Sequence, residues 1–311
     1  MNQLSILSRD AEHYAAMIEE ASLPHLVIRE VHQQAISNGN ASDCNILLAD
    51  PNLGAISLAA YPKLTWLQST WAGVKPLLDV ERNDFLITGI KDVFGSQMRE
   101  YVFAYMLYFS RQISSYENLK HKKVWQPMVC DSLVGKTIGI FGLGSIGNEV
   151  AKTAKHFEMK VLAVTRSSRN NSYVDQYISA EQIVDCANQM DFVVILLPDT
   201  PQSRGFINAD FLNALPKHCV LINAGRSQVV DENALLDVLQ KQRIRAAVLD
   251  VYLQEPLPSE HPFWQLENTI ITQHTSAISK PEMIVEKFIE NYLLFLKGEP
   301  LNSVVDQAIG Y

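Results

Sequence analysis

At 311 residues the chain is longer than one ordinary core organises, so two domains are expected. Its composition, 47% hydrophobic and 19% charged, is that of a globular protein and excludes a largely disordered one. A formal charge of -8 argues against a nucleic-acid surface, although one buried arginine can still receive a small anion.

In the first part of the chain, short apolar runs at 5–7, 26–28, 46–48, 64–67 and 85–87 read as buried strands. Helical spacing over 10–22 falls between the first two. Such alternation implies an α/β unit with a mostly parallel sheet. A long apolar helix is expected over 98–112, too short and too charged at its ends to span a bilayer, and so read as a buried link between domains. The polar stretch 117–123 then leads into a second α/β series, with six strands expected at 137–141, 160–164, 191–197, 219–222, 246–249 and 269–271. Pro281 opens a last helix, which Gly298-Glu299-Pro300 ends. Cys44, Cys130, Cys186 and Cys219 lack disulfide or zinc spacing and read as free thiols. The first residues lack a signal peptide's basic start and apolar run, and a cytoplasmic setting is expected.

The most informative segment is Gly142-Leu143-Gly144-Ser145-Ile146-Gly147, between a strand and a helix. Gly142 would permit the tight turn, Gly144 the approach of a pyrophosphate, and Gly147 close packing of helix on strand. Amides at the helix start, at Ser145 and Ile146, would face the phosphate. By contrast, Val134-Gly135-Lys136-Thr137 is no phosphate loop, because Cys130 stands where that motif needs glycine. After the next strand the sequence reads Thr165-Arg166-Ser167-Ser168-Arg169, with no carboxylate to accept from a ribose 2′-hydroxyl. Arginine there suits a 2′-phosphate, so NADP is expected over NAD, the alternative being a solvated basic loop.

Ligands of open α/β sheets bind beyond the carboxyl ends of the strands. There the sequence delivers Arg226, Glu255 and His274. The three side chains suit reduction of a 2-oxo acid. His274 would protonate the oxygen as hydride arrives, Glu255 would raise the imidazole pKa and fix its tautomer, and Arg226 would hold the substrate carboxylate.

The motifs Gln68-Ser69-Thr70-Trp71-Ala72-Gly73-Val74, Gln97-Met98-Arg99-Glu100-Tyr101, the glycine turn, Leu197-Pro198-Asp199-Thr200-Pro201, Asn223-Ala224-Gly225-Arg226, Asp250 through Glu255-Pro256, and His274 together resemble the D-isomer-specific 2-hydroxyacid dehydrogenases, especially their glyoxylate/hydroxypyruvate reductase branch. The resemblance implies a nucleotide domain of Rossmann type (99–279) inserted into a flavodoxin-like substrate domain (1–98 and 280–311), both doubly wound parallel sheets. It implies catalysis by Arg226, Glu255 and His274, and substrate contacts from Trp71, Ala72, Gly73 and Val74 with Arg226. Cofactor contacts are implied from Gly142, Gly144, Ser145, Ile146, Gly147, Arg166, Ser167, Arg169, Leu197, Pro198, Ala224, Arg226 and Asp250. No metal is implied, and a homodimer is. Glu255 stands where the related formate dehydrogenases typically carry glutamine.

Three positions depart from the family pattern. Gln273 replaces the usual proline before the histidine, which implies a less rigid loop. Trp71 is bulkier than usual, either narrowing the pocket or packing under its loop. Ser227 replaces a frequent glycine. A nucleotide-sensing scaffold without turnover stays open as the alternative function.

Overall fold

The computed structural model describes residues 1–36, 41–166 and 170–306. The chain divides into two compact units, Met1–Val93 with Ser279–Tyr311, and Phe94–Ile278. The helix expected at 98–112 runs Gly95–Ser110 and lies wholly in the second unit. Phe94 precedes it without a side-chain cap, so its start carried no sequence signal. It buries one face only, through Met98, Val102, Phe103 and Met106.

The first unit holds strands β1 (Asn2–Leu7), β2 (Leu26–His32), β3 (Ile46–Ala49), β4 (Trp66–Ser69) and β5 (Leu86–Thr88), all parallel in the order β2-β1-β3-β4-β5. Every residue of β3 and β4 is buried, as a sheet covered on both faces requires, and this explains the continuous apolar runs. The last helix, Pro281–Lys297, returns to this unit. Its Phe288 and Phe295 stack on Trp66 at 5.3 and 5.4 Å, and the Asn291 side chain donates to Gln68 Oε1 at 3.1 Å. Gly298, at φ 69°, ends it in the left-handed region where a side chain is disfavoured.

Among its described residues the second unit has seven strands rather than six: β6 (Thr137–Phe141), β7 (Lys160–Val164), β8 (Gln176–Ile178), β9 (Phe192–Ile195), β10 (Val220–Asn223), β11 (Ala246–Leu249) and β12 (Thr269–Ile271). They are parallel in the order β12-β11-β10-β9-β6-β7-β8. The unexpected β8 is a three-residue edge strand with only Ile178 buried, too short for any periodicity to mark. Residues 117–123, read as a polar connection, mostly belong to the helix Ile113–His121, which buries no residue and so has no apolar stripe to reveal it. Strand order reverses beside β6, between β7 and β9, which is where this class of sheet opens its ligand crevice.

All four cysteines are free, Cys44 and Cys219 buried, Cys130 and Cys186 partly so. Among the described residues no helix is long and apolar enough to cross a membrane.

Candidate active site

The glycine turn joins β6 to the helix Ser145–His156. Gly142 sits at φ 105°, where an L side chain is strained. A Cβ at Gly147 would lie 2.1 Å from the Gly142 carbonyl oxygen, so this position cannot carry a side chain without parting helix from strand. A Cβ at Gly144 would meet nothing within 4 Å. That open space continues into a cavity of about 510 Å³ lined by Leu143, Gly144, Ser145, Asn148, Asn170, Asn171 and Ser172. The turn therefore combines a dipole-bearing helix start with room for an anion, which fits a dinucleotide phosphate.

Two asparagines absent from the sequence reading shape this cavity. The Tyr173 N–H donates to Asn171 Oδ1 at 3.0 Å, and Asn171 Nδ2 donates to Asn148 Oδ1 at 2.8 Å. The chain of bonds fixes the Asn148 amide so that its Nδ2 group is left to donate, the polarity an anion needs. The partners are 23 residues apart, one on the helix and the other in the connection between β7 and β8, and no spacing in the sequence links them. Arg166 follows β7 by two residues, whereas Ser167 and Arg169 lie outside the described residues. Leu197 and Pro198 follow β9, and buried Ala224 follows β10, its N–H donating to the Ile195 carbonyl at 3.2 Å.

Arg226, Glu255 and His274 come from the loops after β10, β11 and β12. His274 Nδ1 and Glu255 Oε2 are 2.8 Å apart, and Glu255 Oε1 accepts from the Tyr252 N–H at 3.0 Å. The bond between His274 and Glu255 is the largest influence on the imidazole and, with the carboxylate charge, raises its pKa against burial and the Arg226 charge. For Glu255, burial pushes the pKa up, but the bonds from His274 and Tyr252 outweigh it and hold the group below the usual carboxylate range. An ionised carboxylate can only accept, so Nδ1 carries the proton it shares and Nε2 is not engaged by Glu255. Burial lowers the Arg226 pKa, opposed by Glu255 and Asp199. Its Nη1 donates to the Gly225 carbonyl at 2.8 Å, which anchors one edge of the guanidinium.

Asp250, directly after β11, is fully buried. Its Oδ1 accepts from the Thr272 hydroxyl and from the Thr275 N–H at 2.9 Å, and its Oδ2 from the Ser276 N–H at 3.0 Å. Its carbonyl accepts from the His274 N–H at 2.8 Å. The residue expected among the cofactor contacts is thus committed, through both carboxylate oxygens, to the loop that carries His274.

In the first unit the loop after β4 carries Trp71, Ala72, Gly73 and Val74. Asp50, after β3, is buried and accepts from the Ser8 and Thr70 hydroxyls. Ser69 Oγ bridges the loop's start, accepting from the Trp71 N–H at 3.0 Å and donating to the Trp71 carbonyl at 2.7 Å. Trp71 is 38% exposed rather than packed beneath the loop. Among the described residues the N–H groups of Ala72, Gly73 and Val74 donate to no acceptor, leaving a short row of amides for an outside anion.

Residues 103–276 match the family model described as the D-isomer specific 2-hydroxyacid dehydrogenase, NAD binding domain. The chain belongs to this family. A D-isomer specific 2-hydroxyacid dehydrogenase family protein from Aeromonas salmonicida subsp. salmonicida A449 superposes with a TM-score of 0.93 at 37% identity, covering 98% of this chain and 99% of that one. The NADPH-dependent glyoxylate/hydroxypyruvate reductase from Sinorhizobium meliloti, solved with NADP and sulfate, superposes with a TM-score of 0.86 at 26% identity over the full length of both chains. The glyoxylate/hydroxypyruvate reductase A of Salmonella newport (strain SL254) is 28% identical over 300 residues, 94% of each chain. The family's two-sheet architecture is the one found here, down to the all-parallel pairing.

Proposed function

We propose that this dehydrogenase reduces a small 2-oxo acid, such as glyoxylate or hydroxypyruvate, to the 2-hydroxy acid, with NADPH preferred and NADH possible. The observation that carries the reading is the 2.8 Å pair of His274 and Glu255, with the Arg226 charge acting on both. The names of the Sinorhizobium and Salmonella relatives support the substrate class, and the NADP bound to the former supports the cofactor.

When bound, the dinucleotide supplies the hydride. Gly144, the amides of Ser145 and Ile146, and Asn148 would hold its phosphates, with Gly142 and Gly147 shaping the turn. Arg166, with Ser167 and Arg169, would receive the 2′-phosphate, and Leu197, Pro198 and Ala224 would line the path to the reacting end. The substrate carboxylate would be received by the amides of Ala72, Gly73 and Val74 and by the Arg226 guanidinium, and Trp71 beside those amides would favour short acids. Charge then builds on the carbonyl oxygen, and protonated His274 neutralises it through Nε2. Glu255 keeps that imidazole charged and oriented until the proton leaves. Donation from a positioned acid contributes about 10²–10⁴-fold.

The test is oxidation of NADPH, followed by its absorbance, against a panel of 2-oxo acids. Turnover on short acids supports the reading. Tight NADPH binding with no turnover on any acid overturns it and favours a nucleotide sensor. A homodimer is part of the same proposal. It is supported by the apolar side chains on 124–129, where Trp125 is 97% and Val129 94% exposed. Sedimentation at micromolar concentration as a monomer would overturn it.

A further inference from the structure

The motif Gln97-Met98-Arg99-Glu100-Tyr101 has no part in the chemistry above, yet the structure gives two of its residues one address. Gln97 and Tyr101 are four apart on the helix Gly95–Ser110 and so share a face. Gln97 Nε2 donates to the Ile278 carbonyl at 3.0 Å, and Gln97 Oε1 accepts from the Ile278 N–H at 3.0 Å. One turn on, the Tyr101 hydroxyl lies 2.8 Å from Thr272 Oγ1. The single Thr272 hydroxyl proton is donated to Asp250, so Tyr101 must be the donor to Thr272.

Thr272 and Ile278 bracket the loop that carries His274. The histidine itself is at φ 57°, a left-handed conformation that costs a non-glycine residue free energy and persists only where its surroundings impose it. No proline restrains the position before this histidine, because Gln273 stands there. Gln273 is exposed, and its N–H donates to nothing among the described residues.

We propose that Gln97 and Tyr101 are positioning residues for the proton donor: they grip the two ends of the 272–278 loop from one helix face and replace, by side-chain hydrogen bonds, the restraint that proline would give. The proposal rests on His274 being the general acid. Neither residue touches the reacting atoms. Their effect passes through the placement of Nε2, where a misplacement of about 1 Å costs up to about 10²-fold in rate.

The test compares Gln97→Ala/Tyr101→Phe, Gln273→Pro, the triple variant, and His274→Ala, each as the full-length protein. For Gln97→Ala/Tyr101→Phe, kcat is expected to fall about 10- to 50-fold with the 2-oxo acid KM and the NADPH Kd changed by less than about threefold. Adding Gln273→Pro should restore kcat at least about fivefold, because proline resupplies the rigidity by another route. Gln273→Pro alone should leave kcat within about twofold. A double variant with wild-type kcat, or a lowered kcat that proline does not restore, overturns the clamp. If the double variant loses NADPH binding or unfolds, Tyr101→Phe alone decides: a lowered kcat restored by Gln273→Pro supports the clamp, and an unchanged kcat overturns it. A near-normal rate for His274→Ala would instead overturn the underlying assignment of the acid.

Discussion

Each of the two units buries an aspartate immediately after one of its strands, and the two are used alike. Asp50 follows β3 and accepts the hydroxyl of Thr70, the first residue after the neighbouring β4. Asp250 follows β11 and accepts the hydroxyl of Thr272, the first residue after the neighbouring β12. Parallel strands end side by side, so a carboxylate at one strand's end meets a hydroxyl at the next without any bend in the chain. Both carboxylates are deep, at 4% and 0% exposure, and both take further bonds, from Ser8 and the Arg9 N–H in one case and from the Thr275 and Ser276 N–H groups in the other. What differs is the loop each one secures. The Asp50 loop presents bare amides at Ala72, Gly73 and Val74, which suit a fixed charge. The Asp250 loop presents an imidazole whose pKa Glu255 raises. Under the proposed mechanism the same fastening would serve binding in one unit and proton delivery in the other.

That contrast can be broken by substitution. The largest effect is expected on the proton donor: His274→Ala should lower kcat about two to four orders of magnitude, measured as NADPH oxidation at saturating 2-oxo acid. A near-normal rate would place the donor elsewhere. Next, Arg226→Ala should reduce kcat/KM about 10²–10³-fold and raise KM, since a charge-assisted bond to the substrate is lost; an unaltered KM would remove it from carboxylate binding. The two threonines sharpen the comparison directly. Thr70→Val and Thr272→Val each strand one bond to a buried carboxylate and should cost about 1–3 kcal/mol of stability in denaturant melts. They should part in kinetics: Thr70→Val raises the substrate KM about tenfold with kcat held, and Thr272→Val lowers kcat with KM held. Identical kinetic signatures would mean the two loops share one role. The smallest effect on turnover is expected from Arg166→Asp, which should weaken NADPH and improve NADH at saturating substrate; an unchanged NADPH KM would take Arg166 out of cofactor choice.

The placement of the candidate site was legible in the sequence because its residues sit where strands end. A strand running into Gly142, Gly144 and Gly147 and then a helix names its own turn, and Arg226, Glu255 and His274 follow three successive apolar runs. The short edge strand β8 was not legible, since three residues with one buried side chain carry no pattern. Asn148 and Asn171 were hidden because a hydrogen bond between a helix and a distant loop leaves no trace in local spacing. Asp250 was marked by position but not by partners: the sequence placed it on the ligand rim, while its oxygens are taken by Thr272, Thr275 and Ser276. The absence of proline before His274 implied a looser loop, and only the folded structure brings Gln97 and Tyr101 to the ends of that loop.

The central claim is that Glu255 keeps His274 charged so that it can give up a proton, and a pH–rate profile tests it most directly. Reduction needs the imidazolium, and Glu255 raises its pKa, so kcat/KM should hold past the pH where an ordinary histidine has deprotonated and fall as pH passes the raised value. Glu255→Gln removes the charge and the strongest acceptor, leaving burial and Arg226, which favour the neutral ring, opposed only by the smaller influence of Asp250. The account predicts that the alkaline limb moves to lower pH in Glu255→Gln. A limb that stays in place would contradict it.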